Sequence, residues 1–592
     1  VAPFVMRFDA GSVPVVRLVF ASTSRTLGEI QDLALFKVRP MFAALPGVSA
    51  PPPMGGNMRT VVVHVDPARL RQYKLAPDRV VAAIIAGNTI TPAGTVRIGD
   101  QALLTPSNAV VHDMQSLGEI AIEPAKKAGP AVYLRDVGWV EDSTDILSAY
   151  ALVNGKRAVF IPVTKRADAS TWSVVQEVKK ALPAMQAAIP EDIQVSYAFD
   201  QSGYVKNALS GLLAEGVLGA LLTGLMVFLF LRDLKSALIV VITIPLALLC
   251  ATIALWVSGQ TINIMTLGGL ALAIGILVDE ATVTMENVHS HLAEGKTVAR
   301  AVVDSAQEMA VPKLLILVCI LAVFVPSFFM HGVPAALFVP LALAVGLAMV
   351  AAYLLSQTLV PILVVRWLRQ GGESLDEGPW LHGLKARYAW LLRWLVPMRR
   401  GLIAGYFLGC IALLWLLVGL VPVELFPTAH LDQFRLRLRA PAGTRVERTE
   451  DMARATLERI AAQVGRGNIA TSLAFIGTQP PSYPINTVYL WTSGPFEAVI
   501  DVALKKGSGI AIEHLKERLR KDLAREHPEL SLSFEPGDLV GQVTNMGAAT
   551  PVEVAIVGKN LAQGRAYAQR LRQELAKVGA LRDLQYGEAL DY

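Results

Sequence analysis

Asp279 and Glu280 stand side by side within Ile262–Asn287, INIMTLGGLALAIGILVDEATVTMEN, a run otherwise apolar enough to cross a bilayer. About 20 apolar residues make a transmembrane helix, and each acid near its middle costs roughly 2.5–3.5 kcal/mol on insertion. Two adjacent carboxylates in a poorly solvated place repel each other and compete for protons. That is a site able to load and release protons, and the competing reading is a structural ion pair that only holds helices together. Positions three and four apart share a helix face. Gly268, Leu272, Gly275, Asp279, Thr282 and Glu286 therefore form one narrow stripe, mostly small or polar, with Glu280, Thr284 and Asn287 on the neighbouring one. Such stripes are expected to face protein or trapped water rather than lipid.

The whole chain agrees with a membrane setting. Of 592 residues, 53% are hydrophobic and only 17% charged, with mean hydropathy +0.46, against about 25% charged in an average soluble domain. The balance of 54 basic against 49 acidic residues carries no nucleic-acid signature. Cys250, Cys319 and Cys410 all lie in apolar runs, so the sequence offers neither a disulfide framework nor a CxxC metal pair. A Walker-type glycine loop and a nucleophile, base and orienter cluster are both missing from the sequence, which argues against a nucleotide-driven machine and an enzyme. No cofactor is expected.

Six apolar segments position the acids: Leu209–Leu231, Ser236–Val257, Ile262–Asn287, Val311–Met330, Ala336–Val365 and Leu402–Val421. Arg232 and Lys235 lie in the first joining loop, Lys296, Arg300 and Lys313 in or beside the third, and Arg366, Arg369, Lys385, Arg387, Arg393, Arg399 and Arg400 in the fifth. The second and fourth loops carry no Lys or Arg. The positive-inside rule then makes the odd loops cytoplasmic and puts both soluble parts on the opposite side. Glu215 sits near the outer end of the first span, as an interfacial or a functional residue. An amphipathic stretch near residues 378–393, with Trp380, Leu384 and Tyr388 among Lys385 and Arg387, is expected to lie along the membrane surface or against the bundle.

Residues 1–204 read as α+β structure. Val15–Ser22 and Thr60–Val65 are expected strands, and Leu27–Leu45 a helix between them. A comparable pattern returns in residues 426–592, with Phe434–Leu438 a strand, Arg445–Val464 a helix and Ile469–Phe475 a strand. Small split βαβ units on both sides of the bundle, residues 205–425, are the expected organisation. An exported part of 204 residues needs a preceding signal or span, so the chain is expected to be a fragment of a longer one, cut at both ends.

GILVDEATVTMENV (Gly275–Val288) resembles the fourth transmembrane helix of the resistance–nodulation–division (RND) efflux pumps, whose pattern is G-[IL]-L-V-D-[DE]-A-x-V-x-x-E-N-V. DPARLRQYKLAPDRVVAAI (Asp66–Ile84), VYLRDVGWVED (Val132–Asp142), FDQSGYVKNAL (Phe199–Leu209) and RAPAGTRVERTE (Arg439–Glu450) follow the family in the same order. The resemblance implies an α-helical membrane bundle carrying periplasmic, ferredoxin-like α+β subdomains, with the six spans here matching the second to seventh of twelve. It implies a homotrimer in the bacterial inner membrane, working with a periplasmic membrane-fusion adaptor and an outer-membrane channel. Asp279 and Glu280 take the positions of the proton relay, with Glu280 replacing the Asp of many drug exporters; Glu286 and Glu215 are secondary candidates. The family's basic partner for the acids belongs to its distal half.

The leading expectation is a proton-driven exporter of amphiphilic, drug-like compounds. Heavy-metal export is the alternative, for which His64, His112, Met54, Met58, His430 and Met546 are scattered candidate ligands. A non-transporting scaffold or accessory on the same fold is the alternative of another class. Phe475, Tyr483, Tyr489, Trp491 and Phe496 are candidates for substrate contact, with a core or interface role as the competing assignment.

Overall fold

The computed structural model describes residues 13–108, 110–123, 130–145, 148–166, 169–231, 233–368, 379–420, 432–478, 492–537 and 552–587, together with residues 490, 541, 542 and 550. The chain forms two units: Val1–Ala167 with Ser173–Asp200 and Leu431–Tyr592, and Asp168–Trp172 with Gln201–His430. In chain order, the elements used below begin with β1 (Val16–Ala21), α1 (Leu27–Leu33), β2 (Val48–Ser49), β3 (Arg59–Val65), β4 (Gly138–Thr144), β5 (Ala149–Val153), β6 (Lys156–Arg157), β7 (Val159–Lys165), α2 (Thr171–Ala187) and β8 (Gln194–Ala198). The helices α3 (Ser202–Leu231), α4 (Leu234–Val257), α5 (Ile264–Ala293), α6 (Val298–Phe324), α7 (Val333–Gln357), α8 (Leu359–Trp367), α9 (Pro379–Leu395) and α10 (Arg399–Leu420) follow. The last are β9 (Gln433–Arg439), α11 (Val446–Val464), β10 (Ile469–Gly477), β11 (Glu497–Leu504), α12 (Ile512–Glu526) and β12 (Ser531–Glu535).

The first unit gathers both soluble stretches of the sequence. One sheet has the order β8-β1-β7-β2 and a larger one the order β6-β5-β10-β11-β9-β12. Strands from before and after the apolar segments thus share the larger sheet, where β5 and β10 run antiparallel with Ala151 opposite Phe475. β1 and β3, adjacent strands in the sequence reading, lie apart: β3 pairs with β4 in a separate ribbon. The expected helix over Leu27–Leu45 begins at a Thr26–Glu29 capping box but keeps α geometry only to Leu33. A wider turn over Ala34–Val38 and a tighter one over Arg39–Ala44 complete the segment, the latter beginning beside Pro40, which has no N–H to give.

The sequence of β9, FRLRLR, shows why this sheet holds. Period-two alternation sends Phe434, Leu436 and Leu438 into an apolar core with α11 and α12, and puts Arg435 and Arg437 on the opposite face. That face is buried too, and acids from the flanking strands meet the arginines. Arg435 pairs with Asp501, and Arg437 pairs with Glu535 and donates to the Leu490 carbonyl at 2.6 Å. Arg17 of β1 reaches the same Asp501 at 2.7 Å.

The second unit is a helical bundle. Among the described residues, six helical stretches are long and apolar enough to cross a membrane. Asp233 caps α4 and Asn263 caps α5, each side chain accepting from the first free backbone N–H groups. Two boundaries differ from expectation. The helix containing the expected span Val311–Met330 starts at Val298, because its amphipathic first turns continue the same rod. The expected span Ala336–Val365 is broken at Thr358, which has non-helical torsions and separates α7 from α8. Within the bundle α5 packs against α3, α4, α6 and α7.

Candidate functional site

Two apolar clusters frame the middle of α5. Leu270, Ala273 and Leu277 join Leu317 of α6 and Ala344, Val345 and Ala348 of α7. Ala281, Met285 and Val288 join Val298 and Val302 of α6 and Val240 of α4. Between them lies a polar triad that neither cluster can solvate. Glu280 is 6% exposed, Thr284 4% and Lys313 3%. The Lys313 ammonium lies 3.5 Å from the Glu280 carboxylate, donates to the Glu280 carbonyl oxygen at 2.5 Å and donates to the Thr284 hydroxyl. Thr284 Oγ1 in turn donates to that carbonyl at 2.9 Å, four residues back on the helix.

The local sequence explains the meeting. On α5, Glu280 and Thr284 are one turn apart and continue the inward row of Ala273, Leu277, Ala281 and Met285. On α6, Lys313 continues the buried row Val298, Val302 and Ser305 and precedes buried Leu317. A lysine in that row has no solvated side to turn to. By sequence position alone, Lys313 is a basic residue beside the third loop. The available signal was its place in a helical row of buried residues, visible once the helix is extended back to Val298.

Gly268, Leu272, Gly275 and Glu286 are exposed in this bundle, and the inward face of α5 is the neighbouring stripe that carries Glu280 and Thr284. Asp279 lies within α5, and its side chain is outside the described residues. Glu286 and Glu215 are exposed, and neither is joined to Glu280 or Lys313 among the described residues. The helix expected near residues 378–393 is present as α9.

Below the triad, toward the α5–α6 turn, the same two helices exchange further polar contacts. Asn287 Nδ2 lies 3.4 Å from Glu308 Oε2, and His291 Nε2 lies 3.0 Å from the same oxygen. Lys296 bridges Glu294 at 3.0 Å and Asp304 at 3.1 Å. Hydrogen bonds from Lys296 and His291, together with the Lys296 charge, hold the Glu294 carboxyl below the usual carboxylate range.

In the first unit, two of the residues considered as metal ligands, His64 and Met54, have other partners. His64 stacks on Trp139 and meets Glu141 at 2.9 Å, Met54 is buried in an apolar cluster, and Met58 and His112 are exposed. His430 and Met546 lie outside the described residues. Phe475 and Phe496 are core residues; Tyr483, Tyr489 and Trp491 lie outside the described residues.

Comparison with known proteins places these features in context. The profile of the AcrB/AcrD/AcrF family matches residues 2–590. The multidrug resistance protein MdtC of Escherichia coli (strain CFT073) is 25% identical over 593 aligned positions, covering 98% of this chain and 55% of the relative. MdtC of Pectobacterium carotovorum is 27% identical over 431 residues, 72% of this chain and 42% of the relative. Two crystal forms of a heavy metal efflux pump superpose with TM-scores of 0.77 and 0.79 at 21% and 22% identity, covering 97% of this chain and 55% of that one. At such identity the structures establish the fold alone. The chain spans about half the length of the relatives it matches.

Proposed function

Because the chain belongs to the AcrB/AcrD/AcrF family of RND efflux permeases, we propose that the protein containing it is a proton-driven exporter of amphiphilic, drug-like compounds in the bacterial inner membrane. The observation that carries this reading is Glu280, a carboxylate buried among apolar helices, at the position that the sequence resemblance assigns to the proton relay. Asp279 and Glu280 take up a proton from the outer side and release it to the cytoplasm, and the change in charge shifts α5 against its neighbours. One proton crossing about 100 mV yields roughly 2.3 kcal/mol, and each pH unit adds about 1.4 kcal/mol. Together these sustain a substrate gradient of a few hundredfold per proton, with no cofactor beyond the proton-motive force.

The drug-like substrate class is supported by the two multidrug resistance relatives. The soluble unit is read as periplasmic and as split βαβ, ferredoxin-like subdomains. The run β9-α11-β10-β11-α12-β12, with strand order β10-β11-β9-β12, supports that assignment. Assembly as a homotrimer with a membrane-fusion adaptor and an outer-membrane channel follows from the family.

The test is export of dyes, detergents and metal salts by the complete gene product in a strain stripped of its own exporters, with and without Asp279→Asn. Dye export that disappears with the substitution and with a protonophore is the expected result. A response confined to metal salts replaces the substrate class with metal cations. Export indifferent to Asp279 leaves the acids as structural residues and removes the proton-driven reading.

A further inference from the structure

We propose that the seam between α5 and α6 is the route by which the proton leaves for the cytoplasm, with Glu308 as its last carrier and His291 as the residue that positions it. This rests on the proton-driven reading above. On α5, Glu280, Thr284, Asn287 and His291 follow one another at spacings of four, three and four, so they form a single row along one face of the helix. The row runs from the buried acid to the last turn before the α5–α6 connection, where Lys296 and Arg300 mark the inner side. Polar residues within a span are costly and are kept where protons or ions pass.

The row is met from α6 at both ends. Lys313 contacts Glu280 and Thr284, and Glu308 lies 3.4 Å from Asn287 and 3.0 Å from His291. From Glu280 to Asn287 the helix rises about 10 Å, too far for one direct hydrogen bond. Buried polar atoms with no protein partner mark where water completes such a gap. Among the described residues, Asn287 Oδ1 and Ser305 Oγ are two atoms of this kind. Ser305 is fully buried and stands two turns from Lys313 on the same face of α6.

The inner end is built to take a proton and give it up. An ammonium can only donate, and that of Lys296 lies 2.8 Å from His291 Nδ1, so this nitrogen accepts and the ring hydrogen sits on Nε2, toward Glu308 Oε2. A neutral imidazole thus holds the Glu308 carboxylate beside Asn287 without neutralising it. The neighbouring acids are engaged by cations: Lys296 pairs with Glu294 and Asp304, and Arg300 with Asp304. Glu308 precedes the apolar run that begins at Val311, and 56% of its side chain is exposed. The proton passes from the Glu280 carboxyl through water to Glu308, Glu280 returning to COO⁻ as Glu308 becomes COOH. Glu308 then yields it to cytoplasmic water.

The test uses the complete gene product in proteoliposomes that are acidic outside. It reads the arrival of protons inside when a dye from the panel above is added, in H₂O and in D₂O, together with the melting temperature. Glu308→Gln keeps the volume and hydrogen bonding of the side chain but cannot carry a proton. It is expected to slow proton arrival at least about tenfold, within what a proton-transfer group contributes, with the melting temperature unchanged. Glu308→Asp is expected to retain more than Glu308→Gln, and His291→Gln to lose less, since it removes only the positioning. D₂O is expected to slow both Gln variants by a larger factor than the unaltered protein, because proton release has become the slow step.

Proton arrival at the unaltered rate in Glu308→Gln, while Asp279→Asn is inactive, overturns the route and leaves the proton-driven reading standing. Glu308→Asp as the poorer of the two Glu308 variants also overturns it, since hydrogen bonding alone then explains the residue. Should Glu308→Gln not accumulate, the isotope comparison on His291→Gln decides, and a ratio equal to that of the unaltered protein overturns the route. Transport indifferent to Asp279→Asn removes the reading and this inference together.

Discussion

Arg17 and Asp501, 484 positions apart in the chain, meet at 2.7 Å in the soluble unit, Nη2 donating to Oδ2. Arg435 takes the other oxygen at 2.7 Å from the adjacent strand. One buried carboxylate therefore joins β1 of the four-stranded sheet to β9 and β11 of the larger one. Removing it would leave two guanidinium groups buried without their acid.

Asp501→Ala is accordingly expected to destabilise this unit by about 3–5 kcal/mol, the usual cost of breaking a buried pair. Amide hydrogen exchange in β9 and β11 of the complete protein measures it, and the α5–α7 amides of the bundle serve as an internal reference.

The same carboxylate sets an acid limit. Burial pushes the Asp501 carboxyl up, but Arg435 and Arg17 more than offset this and hold it below the usual carboxylate range. A group lowered in the fold stabilises it fully above the unfolded value, about 3.9 for Asp, and that contribution disappears as pH falls through the folded value. Exchange protection of β9 is expected to be level from neutrality down to roughly pH 4 and to fall below it. Asp501→Asn should make that fall shallower.

In the bundle, Gly269 of α5 lies close against α7. A Cβ there would lie 2.7 Å from the Leu341 carbonyl oxygen and 2.8 Å from the Ala344 methyl, whereas one at Gly268 would meet nothing within 4 Å. Gly269→Val is expected to cost about 1–3 kcal/mol by overpacking. Gly268→Ala should leave the thermal stability of the detergent-solubilised protein within experimental error.

Gly477 ends β10 with φ of +87°, and a Cβ would lie 2.1 Å from the Ser148 carbonyl oxygen. Gly443 has the same φ with nothing within 4 Å. Both Gly→Ala changes impose left-handed strain of about 1–3 kcal/mol, but only Gly477→Ala should also separate β5 from β10. Loss of exchange protection confined to Ala149–Val153 and its partners would reveal that difference.

Local pattern made most single elements legible. Alternation marked β9 and the 3.6-residue period marked α11, each to within a residue or two of its observed ends. What could not be read was pairing at a distance. Nothing in residues 149–153 names Phe475 and its neighbours as partners, because periodicity reports which face is apolar and not what covers it. The acid pair was found by its cost in an apolar run. That Glu280 faces the neighbouring helices depends on the packing around α5, and Lys313 is hidden by its nearness to a loop whose basic residues already have an explanation.

The larger sheet also imposes a timetable on synthesis. Asn154 and Ser472, which hydrogen-bond beside the β5–β10 seam, are 318 positions apart. At roughly 5–20 residues per second, a ribosome needs about 15–65 s to travel between them. Throughout that interval β5 has left the exit tunnel with one edge unfilled, while six hydrophobic helices are still being delivered to the membrane. An open edge is a template for the wrong strand, so biogenesis of this protein depends on whatever shields that edge until the matching strand arrives.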